Sequence, residues 1–377
     1  MSKKLKIFWR NKQNGFGVGH SYGYRIHSQN MLKELERIAG VKIVFNEKDS
    51  YDFAVNISAP YQFKPIPGKK NVLFTMCERI DIPIKEKPPE LATAEIILTP
   101  SEFSKTEFKK HFPDTIIETV PEGFSKKDFP YHERKHPGED KVFTFLWNGA
   151  SNQRKGCLET WQAWDKWHST GRMPENILLI FKTTGSDEKG NPLPGTGISL
   201  AEDTHVILDS RNLSTAELCK VYHAAHAFIF PTCGEGWGLT LTEAAATGLP
   251  CIYTDFSAPH DWFHPKGGFP LTNYTLTPSR ELFSYDYNLN MSVWGPDSVK
   301  KKKPVIKSED KASFQGKEKA FAAQTDVNEI AENMEYIYHN YDEALRRGKI
   351  ASDHLHNNYS WKQAAEKMVD VLLKYNT

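Results

Sequence analysis

The stretch Ala227-Phe228-Ile229-Phe230-Pro231-Thr232-Cys233-Gly234-Glu235-Gly236-Trp237-Gly238-Leu239-Thr240-Leu241-Thr242-Glu243-Ala244-Ala245-Ala246-Thr247-Gly248-Leu249-Pro250-Cys251-Ile252-Tyr253 decides the fold. Its apolar opening, Ala227 to Phe230, reads as a buried strand stopped by Pro231. A tight turn with glycines at 234, 236 and 238 follows. The spacing then predicts a helix from about Leu239 through Ala246, ended by Gly248 and Pro250. Cys251 to Tyr253 reads as a second buried strand. Strand, turn, helix and strand make a βαβ element, and its turn falls at the carboxyl edge of the strands, where open parallel sheets bind ligands.

Glycines around Glu235 let the backbone approach a ligand with no Cβ in the way. The helix beyond them points free N–H groups and the positive end of its dipole at the same spot, so an anion is expected there. Glu243 stands eight residues after Glu235. Along an unbroken helix that spacing means about 12 Å and a rotation of roughly 80°. With Glu235 on the loop and Glu243 one turn into the helix, both carboxylates can instead face one pocket. Two carboxylates beside an anion site suit a ligand with phosphate in its middle and hydroxyls on both sides. A nucleotide sugar fits that description.

The run from Glu235 to Ala244, followed by Gly248-Leu249-Pro250, resembles the signature of retaining glycosyltransferases of the family 4 type (glycosyl transferases group 1), which have the GT-B fold. A bare Glu-x7-Glu spacing is unspecific; the strand before it and the glycines around it carry the resemblance. It implies an α/β protein of two Rossmann-like, doubly wound domains facing a central cleft. Its strongest part is residues 143–265, and over residues 1–130 it is mostly topological. By position, Glu243 would hydrogen-bond the nucleotide ribose hydroxyls. Glu235 would face the donor sugar and stabilise positive charge developing at the anomeric carbon. Backbone N–H groups of Gly236, Trp237, Gly238 and Leu239 would hold the sugar and the β-phosphate and ease departure of the leaving group.

The composition agrees with such a protein. A chain of 377 residues is long enough for two ordinary domains. Hydrophobic content of 39% and charge of 25% are those of a soluble globular protein. The formal net charge of +1 provides no field for nucleic acid. No apolar run reaches the roughly 18 residues of a membrane span, and Met1-Ser2-Lys3-Lys4-Leu5 leads into a strand-like segment without a secretory core. Five scattered cysteines, never spaced C-x-x-C, point to a reducing, cytoplasmic setting and away from structural zinc.

Strand and helix signals alternate along the whole chain. Leu5 to Trp9 reads as a strand, followed by the glycine loop Asn14 to His20 and a helix with apolar residues at Met31, Leu32, Leu35 and Ile38. The loop fails as a dinucleotide fingerprint: G-x-G-x-x-G counted from Gly15 meets His20, and counted from Gly17 meets Tyr22. The resemblance instead gives Gly17 and Gly19 a place near the donor diphosphate and His20 one on the acceptor side. Strands are expected at Phe53–Ile57, Asn71–Thr75 and Ile96–Leu98. The polar stretch Tyr131 to Asp140 reads as a linker, with residues 1–138 as the first domain and 139–359 as the second. The second half opens with a strand, Phe143 to Trp147, and a helix whose stripe of Trp161, Trp164 and Trp167 is expected in the core. A further helix follows at Ser214–Ala224, with Ser214 as N-cap. The pattern breaks down from Leu276 to Lys319. Its lysine-rich part, residues 299–319, reads as a solvated loop, with contact to an anionic acceptor or a membrane surface as the alternative. An apolar stripe at Trp361, Ala364, Ala365, Met368, Val371 and Leu372 predicts a last helix, residues 360–377, which the resemblance returns to the first domain.

A diphosphate needs cations or a metal. No two aspartates stand at the D-x-D spacing of metal-dependent glycosyltransferases, so no metal and no cofactor are expected and the cations must be side chains. Asn148 to Gly156 resembles the family's G-R-x4-K-G loop, in which an arginine and a lysine hold the diphosphate. Lys155 keeps its place, whereas Ala150 stands where the arginine belongs. Arg154, or Lys182 at the end of the next strand, would supply the second charge. Where relatives commonly carry a histidine that contacts the sugar, this chain reads Thr75-Met76-Cys77-Glu78-Arg79, so Glu78 is the acceptor-side candidate. The expected activity is transfer of a sugar from a UDP- or GDP-linked donor to a hydroxyl of a glycan, lipid or protein, with retention. Two other classes stay open: an epimerase-like nucleotide-sugar enzyme of the same fold, and a catalytically silent nucleotide-sugar-binding protein.

Overall fold

The structure, a computed structural model, describes residues 4–10, 22–82, 88–138, 141–150, 152–183, 205–279 and 320–376. The chain forms two compact units. Unit 1 holds Met1–Lys126, Glu235–Leu239 and Leu355–Thr377; unit 2 holds Lys127–Gly234 and Thr240–His354. The first division thus falls ahead of the polar stretch that begins at Tyr131.

Unit 1 is built on a six-stranded parallel sheet of β1 (Leu5–Trp9), β2 (Val41–Val44), β3 (Phe53–Ile57), β4 (Asn71–Phe74), β5 (Ile96–Thr99) and β6 (Ile116–Thr119). The strand order is β2-β1-β3-β4-β5-β6, so the winding reverses between β1 and β3. Val72, Leu73 and Phe74, and Ile96, Ile97 and Leu98, are buried without alternation, because helices cover both faces of a parallel sheet. Two covering helices are α1 (Tyr22–Leu35) and α2 (Glu102–Lys109), the latter capped by the Ser101 hydroxyl, which accepts from Ser104 N. Ile38, expected on the first helix, lies beyond its end and still packs against the same core. The last helix of the chain, Trp361–Lys374, is capped by Ser360 and inserts Trp361, Ala365, Met368 and Leu372 into that core. Beneath it the buried side chains of His27 and Glu122 meet, Nδ1 to Oε1 at 2.8 Å, with the imidazole edge-on to Phe74.

Unit 2 repeats the plan with β7 (Phe143–Asn148), β8 (Ile177–Lys182), β9 (Val206–Asp209), β10 (Ala227–Phe230), β11 (Cys251–Thr254) and β12 (Phe269–Leu271), in the order β12-β11-β10-β7-β8-β9. Here the winding reverses between β7 and β10. Helix α3 (Cys157–Ser169) buries Trp161, Trp164 and Trp167 against Ile330, Met334 and Ile337 of a helix spanning Val327–His339. The tryptophan stripe is therefore core. Helix α4 (Thr215–Ala224) starts at a capping box in which Ser214 and Glu217 satisfy each other's backbone N–H groups. Helix α5 (Leu239–Ala246) follows the glycine turn. Sequence periodicity missed a two-stranded antiparallel pair, Tyr274–Pro278 with Phe321–Thr325. Each strand is short, and its partner lies more than forty residues away in sequence, a separation that no local pattern announces.

The polar stretch after Tyr131 has a structural task. Arg134, enclosed by unit 2, donates from Nη2 to Tyr222 O and from Nε to Ala225 O at the end of α4. It also donates to Thr247 O and Oγ1 at the end of α5, and to His132 O. One guanidinium thus satisfies carbonyls at the ends of two neighbouring helices, where the dipoles favour a cation. Burial lowers the Arg134 pKa to about 10, which leaves it charged at neutral pH. Replacing it strands several carbonyls in the interior. Arg134→Ala is expected to cost about 2–3 kcal/mol of unfolding free energy, with Arg134→Lys recovering only part because an ammonium lacks the planar fork. Urea unfolding checks this; a loss below about 0.5 kcal/mol for the alanine variant would sink the clamp.

Candidate functional site

In unit 2 the site forms where the winding reverses, at the carboxyl ends of β7 and β10. The chain leaving β7 enters a single 3-10 turn, Gln153–Lys155, capped by the Asn152 side chain, which accepts from Lys155 N at 3.1 Å. Trp147 Nε1 donates to Lys155 O at 2.9 Å. Gly156 ends the turn at φ 69°, and a Cβ there would lie 2.1 Å from Pro231 O. Only glycine lets the two exit loops pass so closely. They are also stitched together: Cys233 N donates to Arg154 O at 2.7 Å, and Arg154 Nη1 donates to Gly234 O at 3.0 Å. Lys155 stands with its ammonium 6.0 Å from the Phe230 ring. Both expected diphosphate cations therefore sit at the end of β10. Ala150, where the family has its arginine, is exposed.

Lys182 is placed differently. It is buried, and its Nζ donates to Thr183 O at 2.8 Å, Arg211 O at 2.7 Å and Asp209 O at 3.4 Å. Burial lowers its pKa, with the nearby Asp209 carboxylate opposing. Its charge is engaged in joining the ends of β8 and β9. Arg211 is held by Asp209 through a two-pronged contact, Nε to Oδ1 at 2.9 Å and Nη2 to Oδ2 at 2.7 Å, which keeps the Asp209 carboxyl below the usual range.

Glu243, one turn into α5, meets a group that sequence reasoning missed. Tyr222 of α4, fully buried, donates its hydroxyl to Glu243 Oε2 at 3.2 Å, and Asn148 Nδ2 at the end of β7 donates to the Tyr222 oxygen at 2.8 Å. A phenol hydroxyl near the end of an otherwise apolar helix stripe was the signal available. The Glu243 side chain keeps a partly accessible surface but is ringed by protein, and burial pushes its pKa up to about 8, with the Tyr222 hydrogen bond opposing.

The loop Glu235–Leu239 groups with unit 1. There Gly236 is so close to Met76 that a Cβ would stand 2.4 Å from its sulfur, and the Trp237 ring packs 5.4 Å from that of Tyr359. Leu239 rests on the core of unit 1, and Glu235 is buried, 4% exposed. Met76 opens the segment that also carries Glu78, so unit 1 brings Glu235 and the acceptor-side candidate to one region. That segment is fixed from below: Cys77 N donates to Ser104 Oγ at 3.0 Å, and Asp81 N, at a left-handed φ of 55°, donates to Glu107 Oε2 at 2.8 Å. Gly17, Gly19, His20 and the lysine-rich segment 299–319 lie outside the described residues. Among the described residues, no group of three or more His, Cys, Asp or Glu side chains is arranged to hold a metal ion, and no helix is long and apolar enough to cross a membrane. All five cysteines are buried, and none is in a disulfide.

Residues 143–276 match the family model described as glycosyl transferases group 1. That segment contains both glutamates, the turn after β7 and the Tyr222 contact, and the resemblance read from the motif holds over it. No protein among those of curated function matches the chain in sequence. Solved structures do match in fold. Sucrose-phosphate synthase from Thermosynechococcus elongatus shares 12% identity over 98% of each chain, with a TM-score of 0.63. A glycosyltransferase from Rickettsia africae shares 11% identity over 100% of this chain and 99% of its own, with a TM-score of 0.59. WaaG, a glycosyltransferase involved in lipopolysaccharide biosynthesis, shares 13% identity over 98% of this chain and 99% of its own, with a TM-score of 0.57. At such identities the likeness is one of fold: the chain is an α/β protein of the GT-B architecture, and with the family match it supports glycosyl transfer as the class of activity.

The raised pKa of Glu243 has a sign that can be measured. A folded value near 8 against an ordinary 4.5 means that the folded state disfavours the ionised form. The contribution of this carboxyl to stability is fully present below about pH 4.5 and is lost as pH rises through about 8. Glu243→Gln cannot ionise. Its thermal midpoint should stay level with or below that of the wild type near about pH 5, then gain on it toward about pH 9. A gap that stays constant over that range would show that the carboxyl titrates normally.

Proposed function

We propose that the protein transfers a sugar from a nucleoside diphosphate sugar, UDP- or GDP-linked, to a hydroxyl acceptor with retention of anomeric configuration and without a metal or cofactor. The observation that carries the reading is the group 1 match over residues 143–276, which spans the Glu235-x7-Glu243 motif and the Lys155-Gly156 turn. Lys155 and Arg154 hold the diphosphate, Glu243 accepts hydrogen bonds from the ribose, and the N–H groups of Gly236, Trp237, Gly238 and Leu239 bind the sugar and the β-phosphate. Gly17 and Gly19 approach the diphosphate, and Glu78 and His20 serve the acceptor. In this reading Lys182 acts through the backbone it holds, since its donors already meet three carbonyls.

The chemistry breaks the bond from the anomeric carbon to the phosphate oxygen and forms one to the acceptor oxygen on the same face. The acceptor proton goes to the departing phosphate. Glu235 stabilises the positive charge that develops on the sugar, and the cations and N–H groups stabilise the negative charge on the leaving group. Buried placement of Glu235 supports this role, because a charge in a site of low polarity acts more strongly than one in water. The acceptor is a hydroxyl of a glycan, a lipid or a protein, and a peripheral membrane contact fits the lipid case. A silent nucleotide-sugar-binding protein is the second reading, favoured by Ala150 at the arginine position and by the engaged Lys182.

Thermal shift with UDP, GDP and ADP and their sugars, with and without EDTA, is the first test. One nucleoside diphosphate at about 100 times its dissociation constant should add about 2.7 kcal/mol of stability, unchanged by EDTA. Release of that diphosphate from its sugar donor then separates the two readings. Glu235→Gln should lower turnover about 100-fold with little change in donor binding, while Lys155→Ala should weaken binding of the diphosphate itself. Binding without any release, in wild type and Glu235→Gln alike, would leave only the silent reading; no response to any nucleotide would end both.

A further inference from the structure

Three elements of unit 2 meet at Glu243, and their hydrogen bonds have a direction. Asn148 closes β7 and presents an amide N–H, which can only donate, to the Tyr222 oxygen at 2.8 Å. The single phenol proton is thereby free to point away from Asn148, toward Glu243 Oε2 at 3.2 Å and Thr240 O at 3.4 Å, both on α5. The ring cannot turn to solvent. It is fully buried and is met edge-on by Phe129 and Phe228, each with its centroid 6.0 Å away. Among the described residues no other hydrogen bond reaches the Glu243 carboxylate. One of its oxygens is fixed by α4, and the other is left for a ligand.

We infer that Tyr222, aligned by Asn148, is the positioning residue that holds the Glu243 carboxylate in the orientation needed to accept hydrogen bonds from two adjacent ribose hydroxyls. The inference rests on the reading of this site as a nucleotide-sugar site. The terminal torsion of a glutamate is broad and roughly two-fold, so a carboxylate without a partner rotates freely. Accepting from both hydroxyls of a vicinal pair needs its plane held in one setting. A hydrogen bond from a phenol that is itself locked does this at the cost of one acceptor site, and a carboxylate oxygen has two. Tyr222 does not touch the reacting atoms. Its consequence is selectivity for ribose over sugars lacking the hydroxyl pair, because a fixed, buried acceptor is left unmet by a ligand that has nothing to donate.

The test compares calorimetric binding of UDP and GDP with that of their 2′,3′-dideoxy counterparts, for wild type, Tyr222→Phe, Glu243→Gln and the double variant. Tyr222→Phe keeps the ring and removes only the hydroxyl. It is expected to weaken the ribonucleotide about 5- to 10-fold and the dideoxy nucleotide less than about twofold. The double variant should bind no more weakly than Glu243→Gln alone, because the two act as one unit. If Tyr222→Phe does not fold, Asn148→Ser carries the same comparison, with a ribose-selective loss of about two- to threefold expected. Equal losses on ribo and dideoxy ligands, or losses that add in the double variant, would overturn the positioning role while leaving the nucleotide-sugar reading intact. A wild-type protein that binds neither UDP nor GDP overturns the reading, and the role of Tyr222 falls with it.

Discussion

Parallel strands have to be covered on both faces, and that constraint shapes everything else in this chain. Strands buried on both sides can carry almost no polar side chains, and β4, β5, β10 and β11 carry hardly any. The hydrogen-bonding and charged groups are therefore displaced to strand ends and helix ends. At the amino ends of the strands they make ordinary turns. At the carboxyl ends of β7 and β10, where the sheet of unit 2 reverses its winding, the polar groups of the exit loops collect. In unit 2 that place holds Asn148, Arg154, Lys155 and the Pro231–Gly234 turn, all brought there by the reversal between β7 and β10.

Glycine then determines how tightly those loops can close. Pro231 O would collide with any side chain at position 156, so the turn carrying Lys155 can lean on β10 only because residue 156 has none. The same logic holds in unit 1, where Gly236 admits Met76. Both glycines lie beside residues with proposed roles, Lys155 and Glu235. The backbone beside Gly156 is held by close contact and by side chains as well, Asn152 at Lys155 N and Trp147 at Lys155 O, and a contact against backbone or a packed methionine gives little. Preorganised sites are built this way, with the reorganisation cost met during folding instead of during reaction.

Much of this was legible beforehand, and the failures have physical causes. Most of the central strands of the two parallel sheets, α3 with its tryptophan stripe, the Ser214 cap and the last helix follow from period and capping, which are local properties. The turn at 234–238 announced itself through glycines around an acid. What escaped was set by partners distant in sequence. Arg134 looked like one charge in a polar linker, yet its partners lie about ninety and more than a hundred residues away. Lys182 looked like an available cation at a strand end, and the carbonyls that engage it belong to the next strand and the loop after it. Tyr222 lay within the helix expected at 214–224, and its partner Glu243 belongs to the next helix. The grouping of Glu235–Leu239 with unit 1 also has no local signature, since it depends on Met76 and Tyr359. Sequence patterns report which face of an element is apolar; they do not report which polar atoms find each other.

The most informative of these pairs is the one that makes Glu243 costly. A carboxyl pushed up to about 8 by burial is held in its less useful, protonated form near neutrality, and a lone Tyr222 hydroxyl offsets only part of that. Such a group gains most from a ligand that brings further donors, because each hydrogen bond to the ionised form favours ionisation. In the nucleotide-sugar reading, a ribose with two hydroxyls supplies those donors, so binding and deprotonation become one linked event. A ligand without the hydroxyls meets either an uncompensated buried charge or a protonated acid with an acceptor to spare. On that reading, the desolvation that raises the pKa of this carboxyl is also the source of discrimination. A carboxylate in open water would, on the same reading, ionise freely and select nothing.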